Sequence, residues 1–239
     1  MRFVFLIACF FCAQNMVAQI SLGKLKNAAN KAQAVINHSE LSENEVNKGL
    51  KEALIIGVTN SLGKASKEGG FNNNLVIKIP FPEDAQKMKN TLIKVGMKSQ
   101  VDRFEYVLNE AAEDASNFAK DIFVNAVKEM TINDAMSILK RGDDSATIYL
   151  RSKTTASLYI KFKPIVARSI KKVDLTKYWA VLTARYNSLP LTKEINADLE
   201  DYVVNKAIDG LFILIKQEEN NIRNNPEARV SEILQRVFR

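Results

Sequence analysis

The densest polar cluster in the chain is the segment 140–147, which reads Lys-Arg-Gly-Asp-Asp-Ser-Ala-Thr and separates two apolar stretches. Asp143, Asp144 and Thr147 offer oxygen atoms, and Ca²⁺ or Mg²⁺ binds several oxygen ligands at once. The spacing differs from that of an EF-hand loop. Adjacent carboxylates also suit the positive end of a helix, where each typically contributes about 0.3–1 kcal/mol. We therefore favour helix capping over a Ca²⁺ or Mg²⁺ site and predict no cofactor.

Basic residues follow this segment at helical spacing. Asp144, Thr147 and Arg151 lie on one face of a helix, because they are separated by three and four residues. Lys153 and Lys161 add two further positive charges. The pattern is open to two interpretations, an anion-binding patch for phosphate head groups or an acidic glycan, and an ion-pair network within the fold. We favour the network.

Asp209 directly precedes Gly210 in a stretch that otherwise reads as a buried helix. A buried carboxylate without a partner is costly. We therefore expect Asp209 to pair with a cation, with Lys51, Arg151 and Lys161 as the candidates. The residues that we predict as ligand or ion contacts are Asp143, Asp144, Thr147, Arg151, Lys161 and Asp209.

The residue types that the chain lacks exclude several chemistries. His38 is the only histidine, and the only cysteines are Cys9 and Cys12. A two-histidine zinc site is therefore excluded, as is any thiol nucleophile after residue 12, and a Ser-His-Asp triad is improbable because it would depend on His38 alone. The glycine pattern of a P-loop or a dinucleotide-binding fold is also absent. Carboxylate, hydroxyl and amine chemistry remains.

The first residues have the three parts of a secretory signal peptide. Arg2 precedes an apolar run over 3–13, and small residues follow at 17–19. We predict cleavage after about residue 19 and export to the periplasm or the medium, in preference to lipoprotein anchoring through Cys9. The remaining chain has no cysteine and an excess of six positive charges spread along its length. That excess argues against nucleic-acid binding, which needs cations clustered on one face.

The elements that position these residues are helices. With 46% apolar residues, the chain has ample material for a core, and we predict that 20–239 forms a single all-α, bundle-like domain. Phe104, Leu108, Ala115 and Phe118 belong to a strict three-four repeat that predicts a long central helix over 99–125. Other helices are expected over 22–36, 42–65, 82–95, 131–141, 174–186, 198–222 and 225–238, with short helices between 144 and 170 separated at Thr154 and Pro164.

One segment does not read as helical. Residues 75–79, Leu-Val-Ile-Lys-Ile, lie between asparagines and prolines, and this pattern predicts a short extended segment or half of a small hairpin. No partner strand is evident. The irregular region 66–82 is also the best candidate for a divider if the chain has two parts.

Several stretches together resemble a known family. They are 49–54 (Gly-Leu-Lys-Glu-Ala-Leu), 76–80 (Val-Ile-Lys-Ile-Pro), 142–147 and 201–212, and the likeness continues through Glu218-Glu219, Ile222-Arg223 and Pro226. The family is that of uncharacterised exported bacterial proteins named domain of unknown function 4197. The resemblance implies an exported, mostly helical protein without an established activity, and it assigns no catalytic residue. Family members often carry Gly-Gly before the aspartate pair, whereas this chain has Arg141-Gly142.

Three functions are compatible with these observations. The first is a non-enzymatic envelope protein that binds a protein partner or an anionic ligand through the surface around 142–153, and we favour it. The second is a carboxylate- or metal-dependent hydrolase that uses Asp143, Asp144 and Asp209. The third is a peripheral lipid-binding protein that uses its basic excess and its first helix.

Overall fold

The apolar repeats of the sequence fold into helices. The computed structural model describes residues 41–190 and 198–238, and within these it contains no strand, so the all-α prediction is confirmed. The helices are α1 (Glu43–Ala65), α2 (Gln86–Lys94), α3 (Lys98–Ser116), α4 (Lys120–Glu129), α5 (Ile132–Arg141), α6 (Ser145–Lys172), α7 (Leu175–Asn187), α8 (Leu199–Asn224) and α9 (Glu232–Val237). Short 3-10 helices cover Glu83–Ala85 and Pro226–Ala228.

Some predictions concern residues outside those ranges. The signal peptide at 1–19, with Cys9 and Cys12, the helix at 22–36 and His38 all lie outside the described residues. Among the helices that are described, none has the length and apolar content needed to cross a membrane.

The core is built around α3. Its residues Val101, Phe104 and Leu108 have no exposed surface, as the three-four repeat predicted, and α3 contacts α6, α7 and α8. Phe104 lies between Phe81 and Trp179, with ring centroids 5.0 and 5.1 Å away. These rings join the segment before α2 to α7, because tilted aromatic pairs stabilise a contact beyond the area that they bury.

The long central helix predicted over 99–125 is in fact two helices. α3 ends at Ser116 and α4 begins at Lys120. At the break, the Ser116 hydroxyl donates to the Ala112 carbonyl at 2.7 Å, and the Asn117 amide donates to the Asp114 carbonyl at 3.2 Å. The backbone also tightens there, because the N–H groups of Phe118 and Ala119 donate to the carbonyls three residues earlier, at 3.1 and 3.3 Å. Phe118 consequently points outward and is 53% exposed, contrary to its predicted place in the core.

The region of α6 differs from its prediction in the opposite way, because several helices were predicted where one is present. In place of the short helices expected between 144 and 170, the structure has a single helix of 28 residues, which is the longest among those described. Thr154 and Thr155 do not start a new helix, because their hydroxyls donate back to the carbonyls of Leu150 and Arg151 at 2.7 and 2.6 Å. Pro164 is exposed and lies inside the helix, where it removes a single backbone donor.

The extended segment predicted at 75–79 is instead a turn followed by irregular chain. The Ile77 N–H donates to the Asn74 carbonyl at 3.1 Å, and no strand forms in this described region. The backbone of Ile79 does find a strand-like partner, which is the side chain of Asn109 on α3. Asn109 Oδ1 accepts from the Ile79 N–H at 2.7 Å, and its Nδ2 donates to the Ile79 carbonyl at 2.8 Å.

The same helix holds the preceding turn. The carboxylate of Glu113 accepts the backbone N–H groups of Gly69, Phe71 and Asn72 at 3.0–3.1 Å. Phe71 is fully buried and packs on α8 at Gly210, where an added Cβ would lie 2.8 Å from the phenyl ring. The segment that the sequence offered as a divider therefore belongs to the core shared by the helices.

The helix α8 begins at the predicted position, whereas the last helix, α9, begins later than predicted. The Asp198 side chain accepts the Asp201 N–H at 3.0 Å and caps α8. Asn225, which we expected to start the final helix, caps the 3-10 turn that follows it. α9 begins after Ser231 and packs on α1 at Gly49, where the missing side chain leaves room for Ile233.

Gly210→Ala and Gly63→Ala form a matched test of this packing. The Gly210→Ala methyl meets the Phe71 ring, whereas nothing lies within 4 Å of a Cβ at Gly63 on α1. We expect Gly210→Ala to lower the free energy of unfolding by about 1–3 kcal/mol. Gly63→Ala should raise it by about 0.5–1 kcal/mol. Urea denaturation measures both, and equal effects of the two substitutions would contradict the packing described.

Candidate functional site

The predicted site at 142–147 is a sharp turn between α5 and α6. Gly142 and Asp144 both have left-handed φ angles, 80° and 63°. Asp is among the few residues other than glycine that adopt this conformation readily. The hydroxyl of Ser145 lies 2.6 Å from the carbonyl oxygens of both Ile138 and Gly142. The turn is therefore tied back to α5 before α6 begins.

A carboxylate from α8 caps the first turn of α6. Glu219 Oε1 accepts the Ala146 N–H at 3.0 Å, and Oε2 accepts the N–H and the hydroxyl of Thr147 at 2.8 and 2.7 Å. Glu219 is only 7% exposed. Arg223, one turn further along α8, donates Nε and Nη2 to Oε1 at 3.0 and 2.8 Å. The buried charge is thus both paired and fully hydrogen-bonded, as stability requires.

The aspartate pair does not provide the expected cap. Asp144 occupies the N-cap position, but its side chain makes no capping bond. Its carboxylate pairs instead with Lys216 at 2.7 Å, and accepts from Asn220 at 3.3 Å. The hydrogen bond from Lys216 lowers the pKa of Asp144. Asp143 is exposed and makes no hydrogen bond or ion pair with the described residues.

Asp209 pairs with one of its predicted partners. Arg151 Nη1 lies 2.8 Å from Asp209 Oδ1, and the guanidinium stacks 4.4 Å from the ring centroid of Phe212. The expectation that Asp209 is buried is wrong, since its side chain is 55% exposed. Lys51 instead donates to the Lys128 carbonyl at 2.8 Å. Lys161 is exposed and stands about 15 Å further along α6 than Arg151.

These contacts form part of an ion-pair seam between α6 and α8, which run antiparallel. The cross-helix pairs along it are Asp144–Lys216, Arg151–Asp209 and Lys163–Asp201, at 2.7, 2.8 and 2.6 Å. The Tyr159 hydroxyl donates to Asp201 as well. Pairs this exposed contribute at most about 1 kcal/mol each. The seam aligns the two helices and engages Asp144 and Asp209 in structural contacts, whereas Asp143 is not part of it.

The carboxylates proposed for catalysis do not converge. Among the described residues, no group of three or more His, Cys, Asp or Glu side chains is arranged to hold a metal ion. A small apolar crevice of about 20 Å³ lies between α1 and α8, and a groove of about 280 Å³ lies beside Glu110 and Asp114 on α3. Neither is lined by Asp143, Asp144 or Asp209.

The outward side of α6 carries a stripe of cations, of which only Lys153 and Lys161 were named from the sequence. The helix contains seven cations and no acidic residue: Arg151, Lys153, Lys161, Lys163, Arg168, Lys171 and Lys172. Arg151, Lys163 and Lys172 pair with aspartates of neighbouring helices. The other four are exposed and make no ion pair with a described acid. We expected the positive charge to be spread evenly along the chain, but α6 concentrates it. The absence of Asp and Glu from 145–172 was the sequence feature that indicates this concentration.

The four remaining cations lie on one stripe. Positions 153, 157, 160, 161, 164, 168 and 171 follow the three-four spacing of a single helix face. We call this stripe, Lys153, Ser157, Ile160, Lys161, Pro164, Arg168 and Lys171, the outer face of α6. It extends about 27 Å along the helix axis. Ile160 at its middle is 71% exposed, so the outer face combines positive charge with an exposed aliphatic side chain.

The family model described as "Protein of unknown function (DUF4197)" matches residues 40–239. The chain belongs to this family. The match covers all the helices described and confirms the resemblance seen in the sequence. Neither the comparison with curated proteins nor that with solved structures found a match.

Glu219→Gln tests the cap in this DUF4197 protein. The amide can accept at only one atom and leaves the buried Arg223 without its counter-charge, so we expect a loss of about 3 kcal/mol in unfolding free energy. Asp143→Asn is the control, because that exposed carboxylate has no partner among the described residues. Calorimetry of both variants measures the difference, and a Glu219→Gln variant as stable as Asp143→Asn would overturn the assignment.

Asp144→Asn tests the seam through pH. The pKa of Asp144 is lowered from 3.8, mainly by the hydrogen bond from Lys216, so the folded state binds this proton less tightly than the unfolded state. The stabilisation is therefore complete above about pH 4 and is lost as the pH falls through the lower, folded pKa. Parent and Asp144→Asn should differ by up to about 1 kcal/mol at neutral pH, and the difference should vanish as the pH falls below the folded pKa of Asp144. A difference independent of pH would contradict this.

Proposed function

We propose that this protein is an exported, non-catalytic helical protein that binds an anionic partner through the outer face of α6. The observation that carries the proposal is the charge of this helix. Four of its cations face solvent along one stripe, and no acidic residue interrupts them. A surface of one sign raises the local concentration of oppositely charged partners and accelerates their association.

The contacts at 142–147 support binding over catalysis. Thr147 is engaged with Glu219, Asp144 with Lys216, and Asp209 with Arg151. Each of these groups has a structural partner. None of them lines the crevice between α1 and α8 or the groove beside Glu110 and Asp114. The binding surface first predicted around 142–153 is therefore shifted along α6, to begin at Lys153 and end at Lys171.

The spacing of the cations indicates the kind of partner. Lys153, Lys161, Arg168 and Lys171 are separated by about 12, 10 and 5 Å along the axis. A single phosphate or carboxylate binds only cations within hydrogen-bonding distance of it. Because about 10 Å or more separates Lys153, Lys161 and Arg168 along the axis, each of them would contact a different anionic group. An extended polyanion or an anionic surface fits this spacing better than a small anion.

The proposal that the protein is exported is supported by its amino-acid sequence. The basic start, the apolar run over 3–13 and the small residues at 17–19 support a signal peptide. A chain without cysteine after residue 12 is compatible with an oxidising compartment if its core alone stabilises it. The large apolar core around α3 meets that need.

Retention on immobilised heparin, used as a polyanion probe, tests the proposal. The outer-face variant is Lys153→Gln, Lys161→Gln, Arg168→Gln and Lys171→Gln. The control replaces exposed lysines elsewhere, Lys48, Lys87, Lys120 and Lys128, and so removes the same charge. At about 0.1 M salt we expect the outer-face variant to bind at least tenfold more weakly than the control, because clustered cations act together within a Debye length of about 10 Å. Equal weakening would refute the proposed surface.

A further inference from the structure

We infer that the partner of the outer face is the headgroup layer of an anionic phospholipid bilayer, on which α6 lies lengthwise. This inference rests on the proposed function and specifies the anionic surface. It places membrane contact on α6, in the middle of the chain, and not on the first helix expected over 22–36.

The shape of the outer face supports a broad, flat partner. The stripe is a convex ridge of one helix, about 27 Å long. Neither the crevice between α1 and α8 nor the groove beside Asp114 is lined by any of its residues. Small ligands bind in concave sites that bury most of their surface. A convex ridge outside both of these cavities fits a lipid surface, whose head groups rearrange around it.

The apolar residues of the outer face support lipid over a purely polar polyanion. Ile160 is 71% exposed, and Pro164 one turn later is also exposed. They lie between Lys153 and Arg168 on the stripe. Helices that lie in the membrane interface place aliphatic side chains at the boundary of the acyl chains, with lysines and arginines around them. The long stems of these cations allow their charges to remain among the head groups.

The next helix has the same composition. α7 contains Lys177 and Arg185 and no acidic residue. Both cations are exposed, and Val181, which lies one turn from each of them, is 50% exposed. Lys177, Val181 and Arg185 share one face of α7, because they are spaced by four residues. A second cationic face with an exposed aliphatic residue at its centre is expected if this region of the chain contacts an interface.

Co-sedimentation with vesicles tests the inference. The protein used begins at residue 20, since the apolar run over 3–13 would itself enter a bilayer, and all the described helices lie within it. At about 0.1 M salt we expect binding to vesicles of phosphatidylcholine with about one third phosphatidylglycerol, and none to phosphatidylcholine alone. Each cation near an anionic surface contributes roughly fivefold to binding. The outer-face variant should therefore bind at least a hundredfold more weakly than the parent, and more weakly than the charge-matched control.

Ile160→Ser separates lipid from other polyanions. The substitution removes an exposed aliphatic group and no charge, so folding should be unaffected. Val230→Ser is its control, because Val230 is 70% exposed in the loop before α9. We expect Ile160→Ser to weaken vesicle binding about tenfold, from the area lost to the interface, and to leave heparin retention unchanged. Val230→Ser should change neither.

The outcomes distinguish the inference from the function on which it rests. If heparin retention depends on the outer face but vesicle binding does not, the proposed function stands, the lipid inference fails, and the partner is an acidic protein or glycan. If neither depends on it, both fail. If deletion of residues 20–36 abolishes vesicle binding while the outer-face variant binds like the parent, the contact belongs to the N-terminal segment and the inference is refuted.

Discussion

The position of α6 depends on one buried carboxylate. The first turn of this helix is buried, so its N–H groups cannot be satisfied by water and need a partner within the protein. Glu219 supplies that partner from α8, and Arg223 neutralises it. The same contact fixes the turn from α5, aligns α6 against α8, and leaves the cationic stripe on the solvent side. Two of the stretches that carry the family resemblance, 142–147 and 218–223, meet in it.

At two further places, polar side chains form hydrogen bonds with backbone groups that are distant in the sequence. Glu113 binds three N–H groups of the turn after α1, and Asn109 binds both backbone groups of Ile79. Both side chains come from α3, and both are buried. The irregular segment between α1 and α2 can therefore lie inside a helical core, where unpaired backbone groups would be costly. It needs no second strand, because a helix provides its hydrogen bonds.

Much of the fold could be predicted from spacing alone. The repeat through Phe104 and Leu108 marked the central helix, helices were expected to begin near residues 131 and 198, and Arg151 was named as a candidate partner of Asp209. The predictions that were wrong concern interactions that the spacing of apolar residues does not encode. The apolar repeat continues across the break at 117–119, where the backbone bonds of Phe118 and Ala119 shift to the carbonyls three residues earlier. The cap on α6 comes from a residue 72 positions away in the chain, beyond the reach of any local capping rule. Lys153 and Lys161 of the stripe on α6 were named from the sequence, whereas its continuation to Arg168 and Lys171 was not, although the absence of Asp and Glu between 145 and 172 indicates it.

The distance in sequence between α6 and its cap has a consequence during synthesis. A ribosome-bound chain that has not yet reached residue 219 lacks the carboxylate that caps the buried start of α6. The longest helix described here can pack on α3 and α4, which precede it in the chain, but its first turn stays uncapped, since long-range contacts stabilise a helix only once both partners are present. The buried start of α6 is therefore completed only after residue 219 has been synthesised.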